Sequence, residues 1–143
     1  MEIMMLTLTV VALVAVLVIS GLHFAWAGRL WWPITDEKRL VRAVAGFPNV
    51  DRMPPPAQCL FVAVALCCVA LLLLFEILQS KSNQATAIAL LGVGLVFVGR
   101  GVVGFTTFWS RVTPEQPFRR LDRRYYSPIC LAIGAIILNA ARS

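Results

Sequence analysis

These 143 residues include only seven acidic side chains and a single histidine. One histidine cannot supply bis-histidine haem ligation from one chain, and no carboxylate cluster stands beside it for a metal. Of the four cysteines, Cys59, Cys67, Cys68 and Cys130, none forms a C-x-x-C pair. Three lie well inside apolar runs, where a free thiol behaves as a small hydrophobe. A nucleophile triad, a glycine-rich phosphate loop at a strand–helix junction and paired inward carboxylates are missing too. No cofactor and no metal are therefore expected. Nucleic acid is not an expected partner either, because no aromatic or groove-binding module accompanies the basic residues. Charge of any kind is scarce, at 14% of residues.

What fills the chain instead is hydrocarbon. Hydrophobic residues make up 59%, and the mean hydropathy of +0.82 is too high for a soluble domain of this length. Four apolar stretches, 3–26, 57–79, 85–109 and 126–141, predict helices, since barrel strands would alternate apolar with polar residues. The first three reach the roughly 20 residues needed to cross a bilayer. The fourth would extend only about 24 Å at 1.5 Å per residue, so it is expected to start in the headgroup zone or to thin the bilayer. Ala25-Trp26-Ala27 resembles a signal-peptidase site, but Met1-Glu2 gives no basic n-region and the run is long for an h-region. The first stretch is expected to stay as a membrane helix.

Arginine and lysine set the expected orientation. Arg29, Lys38, Arg39, Arg42 and Arg52 fall in the first connection, and Arg111, Arg119, Arg120, Arg123 and Arg124 in the third. The second connection has only Lys81 and the tail only Arg142. Short basic loops stay cytoplasmic, so loops 28–56 and 110–125 are expected inside and both termini outside. The net charge of +6 also suits anionic headgroups. The expected fold is all-α: one membrane domain over 1–143, an antiparallel bundle of four transmembrane helices with short interfacial helices in the two basic loops.

Local signals add detail. Trp26, Trp31 and Trp32 form an interfacial belt at the end of the first helix. Thr35 is a plausible N-cap for a short helix with Leu40, Val41, Val44 and Phe47 on its apolar side and Arg39 and Arg42 on the other. Thr113-Pro114-Glu115-Gln116 predicts another helix start, interrupted by Pro117. Beyond it, chain around Arg119 and Arg120 leads back to the membrane, where a Tyr-Tyr-Ser-Pro turn is expected to pack near Trp26, Trp31 and Trp32. Ala87, Gly94 and Gly101 recur every seven residues and offer a small face to another helix; Gly21 and Ala25 make a similar pair in the first.

The run Phe118-Arg119-Arg120-Leu121-Asp122, followed by Tyr125-Tyr126-Ser127-Pro128-Ile129-Cys130-Leu131, resembles the most characteristic segment of a family of small bacterial membrane proteins, domain of unknown function 3995. Leu22-His23-Phe24-Ala25-Trp26-Ala27-Gly28 is similar to its first-helix motif, and Gly99-Arg100-Gly101 with Gly104-Phe105 to its third helix. The resemblance implies four membrane helices and a bacterial cytoplasmic membrane. It implies no activity.

His23 is expected some 12 Å, and Arg100 some 6 Å, from their helix centres towards the cytoplasm. An arginine at a helix centre costs about 2.5–3.5 kcal/mol on insertion scales. Arg100 is expected to bond helix-end carbonyls or Asp122, or else a ligand or headgroup. His23 is expected to pack near Tyr126 or Arg100, and Glu76, at the outer boundary, near Lys81. His23, Trp26, Arg100, Asp122 and Tyr126 thus form the candidate ligand or lipid-headgroup site. The expected function is non-enzymatic: an accessory or assembly subunit, or an immunity-type protector, acting through membrane lipids or another membrane protein. The alternatives are a small homodimeric transporter or lipid-handling protein with an anion site at Arg100, and a thiol redox protein using Cys59 and Cys130.

Overall fold

The computed structural model describes residues 3–79 and 83–142, and among them every regular element is helical. Helices α1 (Ile3–Ala27), α3 (Pro56–Leu78) and α4 (Gln84–Val103) are long and apolar enough to cross a membrane, which marks a membrane protein. Short α2 (Glu37–Val44) lies between α1 and α3. After α4 come α5 (Thr107–Val112), α6 (Phe118–Leu121), a π-helical turn (Asp122–Tyr126) and α7 (Ser127–Ala140). The outer surface is greasy: Phe61 is 76% exposed, and Leu71, Val96 and Phe108 are exposed as well. In water such a surface would drive association; in hydrocarbon it needs no cover.

Helix α1 packs on α3 and α4 on α7, and the two pairs meet chiefly through α1 and α7. Val16, Leu73, Leu90, Ile133 and Ile137, from all four helices, form the central cluster. The buried Ser20 hydroxyl donates to the Ala63 carbonyl at 2.8 Å, joining α1 to α3. At the other seam, Gly94 lies against Leu138, Gly101 against Leu131, and Gly134 against the backbone of Gly94 and Val98. The seven-residue spacing of Gly94 and Gly101 does mark a packing face. Gly21 does not: nothing in the described structure comes near it.

Several boundaries differ from those the sequence suggests. The third apolar run is not one helix to 109. It ends at Val103, and Thr106 caps a new helix by accepting the Trp109 N–H at 3.1 Å while its own hydroxyl donates to Val103. Thr113 closes α5 instead of opening a helix, and the next helix starts at Phe118. From Phe118 the backbone stays helical through the π turn to Ala140, so neither extended chain nor a Tyr-Tyr-Ser-Pro turn precedes α7. Asp36, not Thr35, caps α2, its carboxylate accepting the Arg39 N–H at 2.7 Å. A charged acceptor suits the positive end of a helix better than a hydroxyl. Leu40, Val41 and Ala43 form the buried side of α2, whereas Phe47 is exposed.

The two basic connections meet at one end of the molecule. Gly46, at φ +70°, leaves room for the Phe118 ring, and its carbonyl accepts the Glu115 N–H at 3.2 Å. Tyr126 donates to the Ala43 carbonyl at 3.1 Å. A Cβ at Gly46 would enter the Phe118 ring in a left-handed conformation that side chains disfavour. Gly46→Ala is expected to cost about 3 kcal/mol, combining left-handed strain with overpacking. Thermal unfolding in detergent reads it, and a loss below about 1 kcal/mol would mean that this latch is slack.

Candidate functional site

Asp122 is the polar centre of the molecule. Its side chain is fully buried, and three donors reach it: Arg100 Nη2 at 2.7 Å, Trp109 Nε1 at 2.9 Å and Ser127 Oγ at 3.1 Å. The guanidinium of Arg100 also lies over the Trp109 ring, 5.2 Å from its centroid. Arg119, one turn before, donates to the Gly104 carbonyl at 2.9 Å. A buried carboxylate is tolerable only when paired and hydrogen-bonded, and here both conditions hold.

The π turn makes this arrangement possible. In a regular α-helix, residues five apart point about 140° away from each other. In the wider turn the Ser127 N–H bonds the Asp122 carbonyl, and the two side chains share one face towards α4. Gly104 completes the fit, because a Cβ there would land on the Ser127 hydroxyl.

Arg100 thus makes the Asp122 contact expected of it, bridging α4 and the π turn. His23 does not bond to Arg100 or Tyr126. Its Nδ1 pairs with the Ile19 carbonyl at 2.8 Å, and its ring tilts over Trp26 with centroids 4.8 Å apart. Trp26 Nε1 donates to the Trp32 carbonyl at 2.9 Å, which folds the chain after α1 back on itself. The Trp32 ring itself is exposed.

What unites the candidate residues is a cavity. His23, Trp26, Arg100 and Tyr126 all line a space of about 660 Å³, walled otherwise mostly by carbon from α1, α2, α6 and α7. Asp122 stands behind Arg100, outside that lining. A second space of about 180 Å³ lies across His23 and Trp26, bounded by Met53 and Cys59. Cys130 lines the larger cavity and Cys59 the smaller, so the two thiols occupy different spaces. All four cysteines are free.

Two further carboxylates lie elsewhere. Asp51, in the α2–α3 connection, pairs with Lys38 at 2.9 Å and Arg42 at 3.2 Å. The Lys38 hydrogen bond leads in holding its carboxyl below the usual value, with Arg42 adding to the effect. Glu76 is buried and accepts from the Gln79 side chain; Lys81, its expected neighbour, lies outside the described residues.

Residues missed from the sequence are Trp109, Ser127 and Gly104 around Asp122, and Leu40 and Phe118 in the cavity wall. The pairing of a buried Asp with Ser five residues on, across a Pro-flanked helix start, is the trace they leave. Neither the curated proteins nor the solved structures yield a match. The model of one family, described as protein of unknown function (DUF3995), matches residues 5–137. The chain therefore belongs to the DUF3995 family.

Proposed function

We propose that this is a non-enzymatic, multi-pass protein of the bacterial cytoplasmic membrane that holds a lipid-like amphiphile in the cavity beneath a basic cytoplasmic cap. In this reading the bundle is antiparallel and has four spans. The apolar run from Tyr125 to Ala140 would extend only about 24 Å, so the fourth span starts in the headgroup zone or the bilayer thins around it. Support for both termini facing outward comes from Arg39, Arg42, Arg119 and Arg120, which belong to the two connections that meet at one end.

The cavity is the observation that carries the function. Its volume lies within the roughly 300–1,000 Å³ of small-molecule sites, and its wall is largely apolar with few polar groups. Two other readings fit less well. An anion transporter needs a free positive charge, and Asp122 already takes that of Arg100. A redox protein needs its thiols together, and Cys59 and Cys130 line separate spaces.

The test uses the full chain in lipid nanodiscs with a long-chain probe carrying a photoreactive group on its chain. The probe should label peptides holding Leu22, Val44 and Ile129. Ile129→Trp, at a half-exposed wall position, should cut that labelling at least tenfold with the thermal midpoint unchanged. Labelling confined to lipid-facing positions such as Phe61 and Val96 would sink the proposal.

A further inference from the structure

We infer that the cavity selects an uncharged, hydroxyl-headed, single-chain amphiphile (a monoacylglycerol or long-chain alcohol) over an anionic lipid of the same chain. This rests on the cavity reading above and specifies its ligand. The size limits the chain first. A space of about 660 Å³ lies within the roughly 300–1,000 Å³ of sites for one small molecule, which a single-chain amphiphile suits.

The polar groups then choose the head. Arg100 has five N–H donors, of which Nη2 serves Asp122 and Nη1 makes only a long 3.4 Å contact to Ser127. Its side chain is 34% exposed and lines the cavity, so it keeps donors for a ligand. His23 offers the reverse. A backbone carbonyl can only accept, so the Nδ1 that faces Ile19 carries the hydrogen, and in the neutral ring Nε2 is left as an acceptor. The lining therefore includes a donor and an acceptor, and a hydroxyl is the smallest group that can answer either.

Charge points the same way. The fully buried Asp122 lies 2.7 Å behind the Arg100 guanidinium and cancels its charge. An incoming phosphate or carboxylate would lose its water in an apolar space and meet an ion pair instead of a cation. An alcohol surrenders far less hydration.

The experiment extends the nanodisc labelling to competition by three unlabelled molecules of equal chain length: monoacylglycerol, lysophosphatidic acid and fatty acid. Monoacylglycerol should displace the probe at concentrations at least tenfold below those of either acid. His23→Phe keeps a ring over Trp26 and removes the acceptor, so it should erase that tenfold advantage while the acids compete as before. Equal or better competition by either acid would overturn this inference and leave the cavity reading standing. Cavity labelling that none of the three displaces would overturn this inference alone, and no cavity labelling at all would overturn both.

Discussion

Asp122→Ala is expected to destabilise the protein by about 3–5 kcal/mol, the cost of leaving a partner of a buried ion pair without its counter-charge. The carboxylate is fully enclosed, and its removal strands the Arg100 guanidinium and the Trp109 and Ser127 donors together. Arg100→Met with Asp122→Leu should recover the part due to the stranded charge, while the Trp109 and Ser127 donors stay without their acceptor. Unfolding in mixed micelles, followed by helix signal, supplies the numbers. An Asp122→Ala variant within about 1 kcal/mol of the parent would show that the pair is incidental to the fold.

Gly134→Ala should cost about 2–3 kcal/mol, from overpacking at a seam that cannot yield. The added methyl would stand 2.9 Å from the Val98 nitrogen and 3.0 Å from the Gly94 carbonyl, and backbone atoms in a helix have no rotamer to escape into. Gly99→Ala is the contrast. Nothing lies near that position, so it should be neutral or stabilising by up to about 1 kcal/mol through helix propensity. Equal effects of the two substitutions would mean that α4 and α7 do not pack closely through Gly134.

The sequence carried the helices because their cause is local: long apolar runs need no partner to declare themselves. The Gly94–Gly101 face was legible for the same reason, as was the concentration of arginine in two connections. Arg100 with Asp122 could be named because few charges compete for one another in so apolar a chain. The break after Val103 was not legible, because apolar residues continue on both sides of it and the mark is the Thr106 hydroxyl, which bonds Val103 and caps α5. The helical path through Arg119 to Tyr126 was hidden by Pro117, which read as an interruption. In the structure Pro128 occupies the first turn of α7, where its missing N–H is tolerated beside the π turn. His23 lines one cavity with Arg100 and Tyr126, as its depth suggested, but its Nδ1 bonds Ile19, because depth along a helix says nothing about which way a ring turns.

The widened turn at Asp122–Tyr126 amounts to one surplus residue inside an otherwise even spiral. Were the same residues wound as a regular α-helix, everything after them would swing by about 100°. Ile133, Gly134 and Ile137 would then face away from the partners they now touch. The widening itself, more than the identity of the outward-facing arginines along it, thus decides which side of α7 meets the rest of the molecule.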